Sequence, residues 1–397
     1  VIIMNINAKS LSYGTAKSSI RELAAYGAKR RQEVGPEHVF DFSIGNPSVP
    51  APAAVATSLA KNIQLPPHVL HSYTPAAGLF EVRERIAANL NARFSTSYSA
   101  DDLYLTCGAA ASVSIALHAV VEADDEVIVI APFFPEYAVW VDACHAKLVV
   151  ALADPTTFDL DLSELESKIT PRTKAIIIDS PNNPTGVIYS ASTLARLGEL
   201  VRKASRTYGH DIYVISDEPY RYISYGCEVP WVPDYIDHTL VCYSYSKSLS
   251  LPGERIGWVL VASATQAPEL MHAVAGAGRS LGFVCAPALF QRVIADCVDV
   301  PAPVAAYQKN RDALMNILDT YGFSYATPQG AFYLWMQALE ADAENFSRTA
   351  KRFDLLLVPS DSFGTKGWVR LGYCVSYENI LASKEAFAQL KSAYETK

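Results

Sequence analysis

The sequence predicts an α/β protein: a large, mostly parallel sheet covered by helices, with a smaller, discontinuous α+β domain built from both chain ends. Three observations carry this. Short β-branched runs alternate with segments of helical spacing through most of the 397 residues. Several runs, such as Ala-Ile-Ile-Ile at 175–178 and Val-Ile-Val-Ile at 127–130, are apolar on successive residues, the pattern of strands buried on both faces. The two ends of the chain lack this alternation.

In chain order, the spacing predicts a helix over 18–33 and a short strand over 39–44. Strands follow at 103–106, 126–130, 147–152, 174–179, 212–216, 239–243 and 257–262, joined by helical crossovers such as 190–208. Beyond these come a helix over 304–321, strand-like runs at 332–335, 355–358 and 368–373, and a last helix over 378–394. The expected large domain spans 46–295, and the small domain combines 1–45 with 296–397. No internal repeat, low-complexity tract or Gly/Ser linker interrupts them.

Composition removes several classes of function. Half of the chain is apolar and 19% is charged, which excludes a disordered chain. The net charge of −8, from 33 basic and 41 acidic residues, argues against wrapping a nucleic-acid backbone. A local basic pocket for a small anion stays open. The seven cysteines are odd in number, form no CxxC and lie mostly in apolar runs. They read as thiols in a reducing compartment, hence a cytoplasmic protein, and no metal site is expected. No apolar stretch approaches the ~18 residues that span a bilayer. Residues 1–9 do not read as a signal peptide, and Met4 offers an alternative start.

In open parallel sheets, ligands bind beyond the carboxyl ends of the strands. The residues that follow each strand are Cys-Gly-Ala-Ala-Ala-Ser (107–112), Ala-Pro-Phe-Phe-Pro-Glu-Tyr (131–137), Ser-Pro-Asn-Asn-Pro-Thr-Gly (180–186), Asp-Glu-Pro-Tyr (217–220) and Ser-Tyr-Ser-Lys (244–247). Small, aromatic, amide, acidic and lysine groups thus converge on one edge.

Each has a bland reading beside the chemical one. The turn at Gly108, Ala109 and Ala110 is either a tight strand-to-helix turn or a backbone cradle for a phosphate at a helix N-terminus. It is neither GxGxxG nor a Walker sequence. Lys247, directly after a buried strand, is either solvated or a desolvated amine nucleophile. Arg255, eight residues on, is either a surface residue or a phosphate ligand. Asp217 is either salt-bridged or the partner of a protonated ring nitrogen. Asn183 fits turn chemistry, Phe134 and Tyr137 fit a core, and Arg370 inside Trp-Val-Arg-Leu-Gly-Tyr is either ion-paired or an anion receptor.

Taken together, a Schiff-base lysine, an acid for a pyridinium nitrogen, a phosphate cradle and a stacking aromatic describe a pyridoxal phosphate site. In order and spacing, Ser-Pro-Asn-Asn-Pro-Thr-Gly, Ser-Asp-Glu-Pro-Tyr, Ser-Tyr-Ser-Lys with Gly-Glu-Arg-Ile-Gly, and Val-Arg-Leu resemble the aspartate aminotransferase superfamily. These are the class I/II aminotransferases, of fold type I among pyridoxal 5'-phosphate enzymes, and the resemblance runs along nearly the whole chain. It implies that Lys247 forms the Schiff base and shuttles the substrate proton. It implies that Asp217 pairs with the ring nitrogen, and that Asn183 and Tyr220 bond the ring oxygen. Gly108, Ala109, Ala110, Ser244, Ser246 and Arg255 would hold the phosphate, and Phe134 would stack on the ring. Arg370, with Asn183 and Gly45, would bind the substrate α-carboxylate. Tyr73 would reach the phosphate of a neighbouring subunit, which implies a homodimer with shared sites.

Two departures stand out. Gly-Ala-Ala replaces a Ser/Thr-containing phosphate turn, so contact there would be mostly through the backbone. Arg279 lies near where classical aspartate enzymes place a second carboxylate receptor, but the spacing to the next proline differs. A dicarboxylate receptor and a surface or interface arginine both stay open. The implied activity is amino transfer between an amino acid and a 2-oxo acid, aspartate-type among the options. The alternative is a C–S lyase or an aminocyclopropane-carboxylate-synthase-like lyase on the same fold. A cofactor-binding regulator is a remote third, disfavoured by the acidic charge and by the short stretch before Gly45.

Overall fold

Alternate residues of the apolar runs enter different cores, and this is how the runs become a sheet covered on both faces. The computed structural model describes residues 6–16, 18–262 and 267–395; Met4 lies outside them. Its strands are β1 (Phe40–Asp41), β2 (Leu103–Thr106), β3 (Glu126–Ala131), β4 (Lys147–Leu152), β5 (Thr173–Asp179), β6 (Tyr213–Asp217), β7 (Thr239–Ser244) and β8 (Gly257–Val261). These are followed by β9 (Tyr325–Ala326), β10 (Tyr333–Gln337), β11 (Leu355–Leu356), β12 (Val358–Pro359) and β13 (Trp368–Gly372).

Strands β2 to β8, the seven predicted runs, form one sheet in the order β2-β8-β7-β6-β5-β3-β4. Neighbours are parallel except at β8, which is antiparallel to β2 and β7. Val127, Val129, Ala175, Ile177 and Ile215 pack on one face, under helices Ala109–Val120 and Pro268–Leu281. Ile128, Ile130, Ile176, Ile178 and Val214 pack on the other, under helices Leu162–Lys168 and Ala191–Tyr208. The last helix shows how the local sequence does this. Ser190 accepts the N–H of Thr193 as N-cap, Leu194, Leu197, Val201 and Ala204 make a buried stripe, and Gly209 closes the end at φ 74°. Each buried Leu or Val of that stripe contributes about 1.5–3 kcal/mol relative to exposure.

The small sheet has the order β12-β13-β10-β9, and β1 pairs separately with β11 in parallel. Phe42 shares a core with Leu314, Leu318, Leu334, Val369, Leu371 and Phe387, so the two chain ends fold as one unit. Here the observed elements differ from the expected ones. The strand over 39–44 shortens to Phe40–Asp41, because Asp41 Oδ1 accepts both the N–H (3.0 Å) and the hydroxyl (2.6 Å) of Ser43 and turns the chain. The run at 355–358 divides into β11 and β12, which pair with β1 and β13 respectively. The last helix is interrupted at Ser383, whose N–H is shared between Asn379 and Ile380 carbonyls, leaving helices Tyr377–Ala382 and Lys384–Glu395. Helix Ala8–Thr15 was not expected. It has no buried residue, hence no apolar stripe to read, and the Lys9–Asp142 ion pair at 3.0 Å ties it to helix Glu136–Ala143. Among the described residues, no helix is long and apolar enough to cross a membrane. All seven cysteines are free thiols.

Candidate active site

The carboxyl ends of β5, β6 and β7 open into a cleft of about 290 Å³ that is closed on its other side by β10 and β13. Twelve of the fifteen residues singled out from sequence line it: Gly45, Ala109, Ala110, Phe134, Asn183, Asp217, Tyr220, Ser244, Ser246, Lys247, Arg255 and Arg370. Gly108 is adjacent. Its φ of +90° favours glycine, and a Cβ there would meet Arg255 Nη2 at 2.9 Å. Tyr73 and Arg279 lie outside the cleft of their own chain. Tyr73 is 96% exposed in the loop before helix Phe80–Phe94, and Arg279 is exposed in the last turn of helix Pro268–Leu281.

Lys247 sits in the short helix Tyr245–Ser248 that ends β7. Its Nζ donates to Gly45 O at 2.7 Å and lies 5.3 Å from the centre of the Phe332 ring. Burial, with the Arg370 and Arg255 charges adding to it, lowers its pKa to about 8, so at pH 7 roughly a tenth is free amine. Ser244 and Ser246 are buried beside it, and neither hydroxyl bonds a protein group among the described residues. Arg255 donates to Pro252 O at 2.8 Å and pairs with no acid there. In helix Ala109–Val120 the first backbone bond runs from Ser112 N to Gly108 O, which leaves the N–H groups of Ala109 and Ala110 at the cleft.

Asp217 ends β6. Tyr137 donates to its Oδ2 at 2.7 Å, while its Oδ1 is buried without a partner. Burial raises its pKa to about 7 against the Tyr137 hydrogen bond, with neighbouring Glu218 adding to the rise. Glu218 is itself neutralised by buried Arg221. Tyr220 lies 3.1 Å, oxygen to oxygen, from Tyr333, whose hydroxyl also occupies the space that a side chain on Gly45 would need.

Arg370 is on the small sheet. Val369 and Leu371 face the small-domain core, so the intervening residue faces the cleft. The guanidinium is 2% exposed and sits 4.4 Å above the Tyr333 ring. It donates to Ser43 O at 2.8 Å and to Asn183 Oδ1 at 3.1 Å, and Nε has no partner. No carboxylate pairs with it among the described residues. A buried cation in this state is costly unless an anion completes it.

Among the cleft residues that sequence reasoning missed are Asp179, Tyr333, Trp140 and Ile20. Asp179 had a signal, since it ends a buried strand as Asp217 does. The others sit in apolar or aromatic patterns that read as ordinary core.

A mostly parallel sheet of this order, closed by a small sheet over a lysine, a buried acid and a buried arginine, is the architecture of the fold type I pyridoxal-phosphate enzymes. The profile of the family "Aminotransferase class I and II" matches residues 37–383. A crystal structure of an aminotransferase from Eubacterium rectale superposes with a TM-score of 0.95 at 47% identity, covering 98% of this chain and 99% of that one. Thermus thermophilus aspartate aminotransferase with maleate gives 0.86 at 26% identity, over 98% and 100%. In sequence, the aspartate/prephenate aminotransferase of Thermus thermophilus is 30% identical over 80% of this chain and 83% of its own. The chain belongs to the family of class I and II aminotransferases, and it is a pyridoxal-phosphate-dependent aminotransferase acting on small amino and 2-oxo acids.

Proposed function

We propose that the cleft exchanges an amino group between an amino acid and a 2-oxo acid, with Lys247 as the base and Arg370 as the carboxylate receptor. The observation that carries this reading is Arg370, a buried guanidinium with no anionic partner among the described residues, facing the same cleft as Lys247 and Asp217. The cofactor fits the donor set. The unpartnered Asp217 Oδ1 suits a protonated ring nitrogen, and the Gly108 turn, Ala109, Ala110, Ser244, Ser246 and Arg255 suit a phosphate. Phe134 would cover the ring, Asn183 and Tyr220 would bond its oxygen, and Lys247 would hold it covalently at rest. When bound, pyridoxal phosphate supplies an electron sink for negative charge at the substrate α-carbon.

The protein's part is charge placement and proton transfer. Arg370 binds the α-carboxylate through its planar fork, with Asn183 and the Gly45 backbone closing over it. That contact sets the α-hydrogen towards Lys247, whose lowered pKa leaves an amine able to take the proton. Asp217 stays anionic only while a cation faces it, so its charge is used where the ring nitrogen binds.

An aspartate-type donor is supported by relatives whose names specify aspartate. It requires a second carboxylate receptor, which Arg279 would supply only to a neighbouring subunit's cleft. Tyr73, exposed on the surface as Val69, Phe80 and Val284 are, supports a homodimer in which it reaches the second copy's phosphate. The seven-stranded sheet over 103–261, and the smaller sheets that join β1 to strands beyond 325, support a division into 46–295 and 1–45 with 296–397, and the seven free thiols support a cytoplasmic location.

The test is to mix cofactor-loaded protein with single amino acids. Conversion of the cofactor to its amine form with stoichiometric 2-oxo acid supports transfer. Release of pyruvate with ammonia from β-substituted amino acids would identify the lyase alternative instead.

A further inference from the structure

The cleft holds a second buried carboxylate that amino transfer as described does not use. Asp179 on β5 and Asp217 on β6 are register partners on adjacent parallel strands. Their backbones are therefore one strand spacing apart, about 4.8 Å, and their side chains leave the same face, the one lined by Ile177 and Ile215. Both are buried, 5% and 6% exposed. Asp179 Oδ2 accepts the N–H of Asn183 at 2.9 Å, Asp217 Oδ2 accepts the Tyr137 hydroxyl at 2.7 Å, and the Oδ1 atom of each has no partner. Among the described residues no Lys, Arg or His forms an ion pair with either.

We propose that Asp179 is a positioning residue for the reaction: it stands as a neutral carboxylic acid beside the Asp217 carboxylate, so that the pair carries one negative charge. The inference rests on the cofactor reading given above, because the ring-nitrogen cation is what keeps Asp217 anionic and leaves Asp179 as the neutral member of the pair. Two like charges at this separation, shielded from water, cannot both persist without a cation. The groups around the pair decide which one keeps the proton. Tyr137, from helix Glu136–Ala143, donates a hydroxyl to Asp217 and favours its anion. Asp179 receives only a backbone N–H, from the loop after β5. Glu218, the next acid along β6, is bonded to Arg221 and to the Ser216 hydroxyl. Tyr189 is buried nearby and stays neutral. Lys247 and Arg370 line the same cleft, and among the described residues neither is hydrogen-bonded or ion-paired to either carboxylate. Burial and the Asp217 charge push the Asp179 carboxyl well above the ordinary carboxylate range, which agrees with the geometry.

The assignment also connects the two ends of the cleft. Asp179 orders the Asn183 backbone, and Asn183 Oδ1 accepts from Arg370 at 3.1 Å. The neutral acid at Asp179 thus supports the residue that presents the carboxylate receptor, without adding charge at the ring.

The experiment compares wild type with Asp179→Asn, a neutral isostere of the protonated acid, by infrared spectroscopy of the cofactor-loaded protein across pH. The expected result is a carboxylic-acid C=O band in the wild type near neutrality that is absent in D179N. The D179N protein should also lose the alkaline limb of kcat/KM, or have it moved by about one pH unit or more. Asp217→Asn is the second variant. With Asp217 neutral, the Asp179 band should titrate at lower pH, by about one unit or more, and this wild-type/D217N comparison decides the matter even if D179N does not fold. Identical bands in wild type and D179N, or a band that ignores D217N, would overturn the proposal. Failure of the cofactor reading looks different: the wild type would gain no visible absorbance on adding pyridoxal phosphate, while the band would still report on the carboxyl pair.

Discussion

The two walls of the cleft carry opposite charge problems. The large-sheet wall ends in two buried acids, Asp179 and Asp217, with no ion-paired cation among the described residues. The small-sheet wall carries buried Arg370, again with no ion-paired acid among the described residues. If the two walls met, these charges would neutralise each other. The cleft keeps them apart, so each waits for a ligand group of opposite sign. The difference teaches what would suit each wall: a cation towards the acids and an anion towards the arginine, with Lys247 lining the same cleft.

The most severe way to break this arrangement is Lys247→Ala. Removing the base should lower kcat by about a thousandfold or more, read by steady-state kinetics, and should abolish the visible absorbance of lysine-linked cofactor. Next comes Arg370→Leu, expected to cost about 3 kcal/mol of transition-state binding, or roughly 150-fold in kcat/KM. Because it also removes an uncompensated buried charge, the cofactor-free protein should melt at a higher temperature than wild type. A lower melting temperature would mean that the guanidinium is structural rather than a receptor.

Asp217 sharpens the comparison from the other wall, through pH. Its folded pKa of about 7 lies above its unfolded value. Between about pH 4 and 7 the native cofactor-free protein therefore binds more protons than the unfolded chain, and stability falls as pH rises through this window. Asp217→Asn should remove that slope, so the stability difference between variant and wild type grows from pH 4 to 7 in denaturant titrations. Loading wild type with cofactor should reduce the same slope, since a ring cation pays for the charge. The smallest effect is expected from Arg279→Ala, measured as KM for aspartate against alanine. A rise confined to aspartate places Arg279 at a neighbouring copy's cleft, and equal values make it a surface residue.

The same contrast separates what was legible from what was not. The seven large-sheet strands could be read because each is a continuous β-branched run buried on both faces, and local pattern and tertiary environment agree there. In the small unit, β1, β11 and β12 are two residues long. They exist because distant segments meet, and no two-residue pattern announces that. Lys247, Asp217 and Asn183 were legible since a polar group ending an apolar strand is conspicuous. Asp179 meets the same criterion, but its significance comes from its register partner on the next strand, a neighbour that the linear sequence does not name. Tyr333, inside Phe-Tyr-Leu-Trp, had no such contrast.

By itself, the sequence determined the sheet, the order of the groups at its carboxyl edge and the chemistry those groups are suited to, because these depend on local apolarity and on residue type. Tertiary structure alone decided how they are charged. That Arg370 faces the cleft outside any ion pair among the described residues, that Lys247 is held by the Gly45 carbonyl, and that two aspartates stand side by side on one face all follow from which segments became neighbours. Burial and Coulomb interaction depend on distance in space, and the linear sequence does not contain that distance.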